Sequence, residues 1–496
     1  MLPSEKNKKD DNVLIDNIIN RYQSAKIKKS SWDSLLQECY DYALPHRNNQ
    51  NRNAGVISRD LYDATALDAV NQLSASLLGN LTPAWTQCFG FKAGPDLSEQ
   101  ESQNIAPLLE DISKKIQSHF DRSNFIVEMH QCFLDLAVGG TASLCVEEAQ
   151  LGSQSALKFS SVPIQNIYIE EGDNGFLNYS YRVLELSLSQ IKSRYTNCEI
   201  PIHIITQGQK DPMVKFKILE AILPKGNIYE FYSILLEENQ PILLQTGQFD
   251  QSPIISFRWM KSPGETYGRS PVMNALPDIK TANKVVELIL KNASIAVTGI
   301  WQADDDGVLN PANIELVPGA IIPKAVGSQG LKPLEMPGRF DISEIVLKDL
   351  RARIRHALYS DRLGPVVSTK MTATEVLERS AQMALLLGAT YGRLQTELLT
   401  PLIQRSFSIL KRRGEIPDIE LDGRTIMLDY RSPLAKSQSQ TERDEAILVS
   451  DLETLLKTHV ILERELSALQ IKAAASNWRN HNVQDVFNAI IRLSEE

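Results

Sequence analysis

The sequence predicts an α+β protein, because stretches with helical periodicity lie on both sides of a central region of short strands. Apolar residues recur at helical spacing before residue 140 and again after residue 270. Between Thr141 and Trp259 the chain has short runs rich in β-branched and aromatic residues, with Gly and Pro between them. Helices that are separate in sequence from a run of strands are typical of the α+β class.

Helices dominate the predictions for the first 140 residues. Ser98 is a good N-cap residue, and Gly139-Gly140 is a good helix end. The predicted elements are a helix over 13–44 that splits into two near Lys28–Ser31, a loop over Pro45–Gly55, and helices over Leu61–Leu81, after Ser98 and over Phe125–Val138.

The central region is predicted to form the sheet part of the fold. One helix is expected there, near Leu188–Tyr195. The predicted strands are Ser143–Glu147, Leu157–Val162, Ile167–Ile169, Tyr179–Val183, His203–Thr206, Val214–Leu223, Ile228–Leu236, Pro241–Gln245 and Pro253–Trp259.

The next part of the chain reads as helix, insert, helix. Ser270-Pro271 starts a helix well, since serine can cap free amides and proline fits the first turn. This helix extends to about Val297, and Pro/Gly turn pairs follow. Asp341 then caps a second helix, Ile342–Asp361. The order describes a stalk with a tip; an ordinary helical hairpin with a long loop is the alternative.

A connector and a long helix complete this part of the sequence. Gly364–Met371 has no periodic pattern, and Thr372 opens the longest helical run, to about Arg413. Bends are expected within it at Gly388, Gly392 and Pro401. A strand over Thr425–Tyr430, a linker over Ser432–Thr441 and a helical module over Glu442–Glu496 follow.

Three motifs in this order resemble one known family. They are RDLYDATALDAVNQLSASLLGNLTP (Arg59–Pro83), GETYGRSP (Gly264–Pro271) and YSDRLGPVVSTKMTATEVLERSAQM (Tyr359–Met383). The chain resembles the portal, or head-to-tail connector, proteins of short-tailed bacteriophages (podovirus type). The resemblance covers Arg59–Pro83 and then Trp259 to about Pro433.

The resemblance implies a portal-type fold that assembles into a ring of twelve copies. It assigns residues 1–271 to an N-terminal helical and α+β wing body, 272–297 and 341–362 to a two-helix stem, 298–340 to a clip, 363–371 to a tunnel loop, 372–432 to a long kinked helix with a wing strand, and 433–496 to a helical crown.

The resemblance also implies a function and partners. The ring would sit at the capsid vertex of the virion, after assembly in the host cytoplasm, as the conduit for packaging and ejection of double-stranded DNA. Its partners would be terminase, tail adaptor and tube proteins, and the major capsid and scaffolding proteins.

Candidate site residues follow from this assignment. The tunnel loop would give a mostly apolar constriction with one lysine near the phosphates: Pro365, Val366, Val367, Ser368, Thr369, Lys370 and Met371. Stem cations that could line the channel are Lys280, Lys284, Lys291, Arg351 and Arg355. Clip residues that would contact terminase or adaptor are Trp301, Asp304, Asp305, Asp306, Lys324 and Lys332. For the arginines, pairing with acidic neighbours is the alternative.

Composition restricts the possible functions. The chain has 52 basic and 61 acidic residues, a net charge of −9. This balance argues against a tight DNA binder and is compatible with a conduit through which DNA slides. No apolar run is long enough to span a bilayer, and the polar start lacks a secretory signal. We therefore expect no membrane association.

Motifs for catalysis or metal binding are absent from the sequence. Gly264–Ser270 is one residue short of a phosphate-binding loop and has arginine in place of lysine. Asp304–Gly307 resembles part of a calcium loop, but Gln302 and Asn313 stand at two key ligand positions. The five cysteines show no metal-ligand spacing. We predict no enzyme, metal or cofactor; a neck adaptor and a metal-dependent hydrolase are the alternatives.

Overall fold

A computed structural model describes residues 5–47, 61–83, 87–195, 198, 200–237, 241–298, 301–302, 332–333, 340–363, 387–417, 419 and 426–431. These residues contain helices and antiparallel sheets, so the predicted α+β class is confirmed. The helices are α1 Glu5–Ala43, α2 Thr65–Leu81, α3 Glu99–Asp121, α4 Phe125–Gly139, α5 Leu188–Arg194, α6 Ile202–Lys210, α7 Pro271–Thr298, α8 Phe340–Ala357, α9 Ser360–Leu363 and α10 Thr400–Arg412. The strands are β1 Phe89–Ala93, β2 Thr141–Glu148, β3 Leu157–Val162, β4 Ile167–Glu170, β5 Tyr179–Ser187, β6 Lys215–Lys225, β7 Ile228–Leu235, β8 Ile242–Phe249, β9 Ile254–Arg258, β10 Trp301–Gln302, β11 Lys332–Pro333 and β12 Ile426–Tyr430.

A five-stranded antiparallel sheet, in the order β4-β5-β6-β7-β8, has apolar residues on both faces. Successive residues of a strand point to opposite faces, so Ile218 and Leu219 of β6 enter two different cores. The core containing Leu219 is completed by the apolar side of α1, including Ile18. The core containing Ile218 is completed by α5 and α6, including Ile191 and Ile204. The sheet is therefore covered by helices on both sides.

A second, three-stranded sheet has β2 in the centre, between β3 and β9. Helix α4 leads directly into β2 through Gly140, which ends the helix with a φ of +71°. Only glycine adopts this left-handed conformation without a steric cost. The helix end predicted at Gly139-Gly140 is thus confirmed, and it places α4 against the sheet that it feeds.

The strand predicted over His203–Thr206 is wrong, because these residues belong to helix α6. Ile204 and Gly208 lie four residues apart and are both buried, while Ile202 is exposed. A side chain at position 208 would collide with Leu188 of α5, so glycine allows the two helices to pack closely. Helix packing overrides the strand preference of the β-branched residues here.

The split predicted near Lys28–Ser31 is also wrong, since α1 is continuous from Glu5 to Ala43. Lys29 is buried, and its ammonium donates hydrogen bonds to the carbonyl oxygens of Ile164, Gln165 and Ile167 at 2.5, 3.0 and 3.1 Å. The lysine therefore anchors the helix to the loop before β4 instead of marking a break. Burial lowers the pKa of Lys29 to about 8.

Strand β1 was not among the predicted elements. It pairs antiparallel with β12, so that Phe89 lies opposite Tyr430 and Ala93 opposite Ile426. The predicted strand Thr425–Tyr430 is confirmed as β12. Because its partner is far along the chain, β1 has no local hairpin signal in its own sequence.

The described part of the long helical run contains a π-helical segment. Residues 387–394 are helical, Gln395–Leu399 form the π-helical segment, and α10 follows from Thr400. Pro401 follows the π-helical segment directly, and it has no amide hydrogen to donate to the preceding turn of this continuous helical run. The bends at Gly388 and Gly392 stay predictions, and residues 372–386 of the predicted run lie outside the described residues.

Candidate functional site

Helices α7 and α8 pack against each other as an antiparallel pair. Arg353, near the end of α8, lies 3.6 Å from Asp278, near the start of α7. This contact shows that the two helices run in opposite directions. Beyond the other ends of the two helices, β10 and β11 pair antiparallel and close the base of the insert. The helix predicted from Pro271 is confirmed, and Ser270 Oγ accepts the Met273 amide at 2.9 Å as the expected cap.

The second helix of the pair is shorter than predicted. It ends at Ala357 instead of Asp361, and Ser360–Leu363 form the separate short helix α9. Tyr359 between them has a φ of +58°, in the left-handed region that interrupts a regular helix. Its ring lies 6.2 Å from that of Trp259, so packing against the end of β9 accompanies this conformation.

A polar clasp holds the helix pair to the segment that precedes α2. The Asn283 side-chain oxygen of α7 accepts the amides of Tyr62 and Asp63 at 2.7 and 3.1 Å. Arg351 Nε of α8 donates to the buried Asp63 carboxylate at 2.8 Å. The motif around Asp63 thus contacts both helices of the pair, through Asn283 of α7 and Arg351 of α8.

The clasp also fixes the protonation state of its carboxylate. Burial alone would raise the pKa of Asp63, but hydrogen bonds from Thr65 and the charge and hydrogen bond of Arg351 outweigh it and lower the pKa. Asp63 therefore stays ionised, and its negative charge faces Arg351.

The three lysines predicted to line a channel are all paired within the chain. Lys280 forms an ion pair with Glu38 of α1. Lys284 and Lys291 lie on either side of Glu287, at 2.9 and 2.5 Å, and hydrogen bonds from both lower the pKa of that carboxyl group. The alternative interpretation, pairing with acidic neighbours, therefore describes Arg351 and Arg353 and extends to these lysines.

Two cations on α8 differ from these. Arg355 is exposed and has no ion-pair partner among the described residues, and the same holds for Lys348, which is not one of the predicted channel residues. They are seven residues apart, two helical turns, and so lie on the same side of α8. The spacing of the basic residues could have indicated this face; the pairing of the others could not be deduced from the sequence.

Most of the predicted tunnel-loop and clip residues lie outside the described residues. These are Pro365, Val366, Val367, Ser368, Thr369, Lys370, Met371, Asp304, Asp305, Asp306 and Lys324. The backbones of Trp301 and Lys332 are described, and they occupy adjacent positions in the β10–β11 ladder.

The loop Gly264–Ser270 is a packing element and not a phosphate-binding loop. Gly268 lies directly against the backbone of Gly140, where a side chain on either glycine would collide with the carbonyl oxygen of the other. The Gly268 amide donates to Thr141 Oγ1 at 2.8 Å and the Arg269 amide to the Met260 oxygen at 2.8 Å. These amides are therefore not available to a phosphate group.

A buried ion-pair hub links β9 to the π-helical segment. The Arg258 amide donates to Glu397 at 3.0 Å, and its guanidinium donates to both carboxylate oxygens, with Nη2–Oε1 at 2.7 Å. The side chains are 1% and 5% exposed. Arg258 also pairs with Glu171, and Arg393 lies 3.2 Å from Glu397. Nothing in the sequence indicated that these residues meet.

Metal binding and redox chemistry find no support in the described residues. Within the described ranges, no group of His, Cys, Asp or Glu side chains could hold a metal ion. All five cysteines are free, and burial raises the pKa of Cys39, Cys88, Cys132 and Cys145 to about 12, as expected for inert buried thiols. No helix in this part of the chain is both long enough and apolar enough to cross a membrane.

Comparison with known proteins identifies the class to which this helix pair and mixed body belong. The model of the family described as "Bacteriophage head to tail connecting protein" matches residues 16–457. The chain belongs to this family of head-to-tail connectors, which is a structural class and not a class of enzymes.

Individual relatives agree with this assignment. The chain is 25% identical over 453 residues to the "Probable portal protein" of Bordetella phage BPP-1, and the alignment covers 85% of this chain and 79% of the relative. It is 22% identical over 461 residues to the "Portal protein" of Salmonella phage epsilon15, with 85% and 80% covered. A solved structure titled "Virion of native gene transfer agent (GTA) particle" covers 77% of this chain and 84% of its own, with 11% identity and a TM-score of 0.36. That score is too low to support an inference.

Proposed function

We propose that this chain is a portal protein: a ring of about twelve copies at the capsid vertex through which double-stranded DNA is packaged and ejected, and to which the tail attaches. The connector family and the relatives named as portal proteins support this proposal. The stoichiometry and the passage of DNA come from the resemblance in the sequence.

The observation that carries the proposal is the antiparallel pair of α7 and α8. Its seven cations exceed its five acidic residues by two: α7 has three lysines and two acidic residues, and α8 has one lysine, three arginines and three acidic residues. Pairing within the chain neutralises most of the cations. A ring of such helices would present weak and scattered positive charge to DNA, which suits sliding better than tight binding.

Each segment then has a role. Residues 272–297 and 341–362 form the stem, 298–340 the clip that meets terminase during packaging and tail adaptors afterwards, and 433–496 the crown that faces the capsid interior. In the clip, Trp301, Asp304, Asp305, Asp306, Lys324 and Lys332 are the proposed contacts. Major capsid and scaffolding proteins contact the ring during assembly in the host cytoplasm.

Exposed cations of the stem make the transient contacts with DNA. Arg355 and Lys348 are the residues that the described structure favours, since Lys280, Lys284, Lys291 and Arg351 are engaged by carboxylates. The tunnel loop 363–371 adds an apolar constriction, with Lys370 near the phosphates.

The loop proposal is tested by Lys370→Glu in the infecting particle. We expect assembled heads with slower DNA packaging or ejection, because the reversed charge repels the backbone. The measurement is the amount of packaged DNA per head and the ejection rate. Normal assembly together with a native packaging level and ejection rate would remove Lys370 from the mechanism.

The ring itself is tested by electron microscopy of the purified full-length chain. We expect end-on class averages with about twelve subunits and a central hole wide enough for a duplex, roughly 20 Å across. If the chain stays monomeric or dimeric at high concentration, and also when its capsid and scaffolding proteins are present, the proposal fails.

A further inference from the structure

A large cleft lies where the two sheets and helix α10 meet. Its volume is about 940 Å³, which is the size of a site for several side chains or a medium-sized ligand. Its walls come from β2 and β3, from β6, β7 and β8, and from α10. The charged lining residues are Arg122, Lys158, Arg194, Arg405 and Arg412 against Glu147, Glu148 and Glu220. The cleft is thus lined by more positive than negative groups, although the whole chain is acidic.

Arg405 of α10 is the deepest of these cations and is only 2% exposed. Its Nε and Nη1 donate to the carbonyl oxygens of Val146 and Gln251 at 3.3 and 3.2 Å. Its guanidinium carbon lies 4.8 Å from the centre of the Phe249 ring. It forms no ion pair with any residue in the described ranges, so its direct partners are carbonyl dipoles and an aromatic face, while Asp250 and Glu148 act on its charge only from beyond ion-pair distance.

The acidic groups of the cleft are already engaged by other arginines. Arg194 pairs with Glu147 at 2.8 Å and with Glu220 at 3.0 Å. Arg412 pairs with Glu148. The described cleft therefore offers Arg405 no carboxylate in direct contact, although Glu148 still acts on its charge from a longer distance. A buried guanidinium without a counter-charge is strongly unfavourable, and neutral carbonyl oxygens offset only part of this penalty.

We propose that this cleft is a carboxylate-binding site built around Arg405, and that its occupant is an acidic segment of a second copy of the chain in the assembled ring. Nε and one Nη1 hydrogen are used by carbonyl oxygens, which leaves the remaining Nη hydrogens for a two-pronged contact with a carboxylate. This inference rests on the ring put forward as the proposed function.

A second copy is the occupant that the charges favour. The chain has 61 acidic and 52 basic residues, so another copy offers carboxylates in excess. In a ring, each copy has a neighbour held at a fixed position, so the acidic segment can be supplied without free diffusion. Burial and the nearby Arg412 lower the pKa of Arg405 to about 10, and the negative charges of Asp250 and Glu148 offset this only in part, which agrees with a guanidinium that has no anion in direct contact.

The decisive variant is Arg405→Met in the full-length chain, measured in two ways. We expect the melting temperature of the unassembled protein to stay the same or rise, because an unpaired buried charge is replaced by an apolar side chain. We expect the protein concentration at half assembly, measured by mass photometry or sedimentation, to rise at least about tenfold, as for loss of a buried charge partner at an interface. The half-assembly concentration of Arg405→Lys should lie between those of the wild type and Arg405→Met, since lysine keeps the charge but lacks the planar guanidinium.

Arg122→Met is the matched control for net charge. Arg122 lines the same cleft but is exposed, and within the described residues its side chain bonds only to Ser118. Its loss should change the half-assembly concentration less than about twofold. If Arg405→Met assembles like the wild type, or if Arg122→Met weakens assembly equally, the proposal is overturned.

Citrate tests the site without relying on the variants. Millimolar citrate should raise the melting temperature of unassembled wild type and lower its assembled fraction, with neither effect in Arg405→Met. If inorganic phosphate stabilises the protein equally and assembly is not reduced, the occupant is a solvent anion, and the proposal that a second copy occupies the cleft is overturned. A wild type that never forms rings would refute the proposed function, while the citrate effect on the monomer would still report on Arg405.

Discussion

Replacing Glu397 with alanine should destabilise the junction between β9 and the π-helical segment more than any exposed ion-pair change. The variant leaves the Arg258 guanidinium 1% exposed, with Glu171 and two carbonyl oxygens as its remaining partners. Breaking a buried ion pair costs about 3–5 kcal/mol. Because Glu171 still supplies a negative charge, we expect a loss at the lower end, about 3 kcal/mol.

Amide hydrogen exchange of the unassembled protein measures this loss locally. Peptides covering β9 and Gln395–Leu399 should lose protection together, because the Arg258 amide itself donates to Glu397. Glu148→Ala is the control: its carboxylate is 34% exposed and pairs with Arg412 and Arg413. Exposed pairs of this kind contribute about 1 kcal/mol or less.

A double variant measures the interaction energy between Arg258 and Glu397 separately from the cost of losing either side chain. Arg258→Met combined with Glu397→Leu removes both charges, so it should cost less than the sum of the two single changes and less than Glu397→Leu alone. If Glu397→Ala costs no more than Glu148→Ala, or if the two changes are simply additive, the hub does not stabilise the junction as described.

Two further predictions concern other buried positions. Burial outweighs the Arg47 ion pair at 2.8 Å and the Tyr40 hydrogen bond, and it raises the pKa of Asp135 to about 6, above its value in the unfolded chain. The stability that the protonated carboxyl contributes is therefore present at pH 4 and lost as pH rises through 6. The free energy of unfolding of Asp135→Asn should therefore rise by about 2 kcal/mol relative to that of the wild type between pH 4 and pH 7, measured by urea unfolding at each pH; a constant difference would contradict this. Gly268→Ala should cost more than about 2 kcal/mol in the same assay because its Cβ would collide with Gly140, whereas Gly247→Ala, which meets only ordinary contacts, should be nearly neutral.

The elements that the sequence predicted well are those with signals close to them in the chain. Ser98 caps α3 through Glu101 in a reciprocal capping box, and Ser270 caps α7, each within three residues. Alternate side chains of β6 and β7 enter two different apolar cores, so the period of two in the sequence correctly indicates strands.

The parts that could not be predicted depend on residues far apart in the chain. Arg258 and Glu397 are separated by 139 positions, and Asp63 and Arg351 by 288. In the sequence each of these residues looks like an ordinary surface charge, because burial and partner are set by the whole fold. The misassigned strand at His203–Thr206 has the same origin: Gly208 and Leu188 make it a helix by packing.

The charge pattern of the described chain separates groups that hold the subunit together from groups left over for other molecules. Arg258, Arg351, Lys280, Lys284 and Lys291 are each satisfied by a carboxylate within the subunit, so they stabilise it and contribute little to an external field. Lys348 and Arg355 on α8 are left exposed, and Arg405 is left buried. An exposed cation in water makes a contact that salt weakens and that breaks easily, which fits a moving polyanion. A buried cation gains most from a fixed carboxylate, which fits a permanent neighbour. If the stem cations contact DNA and Arg405 contacts a neighbouring copy, as proposed, a rise in salt should weaken the DNA contacts before it weakens the contact at Arg405.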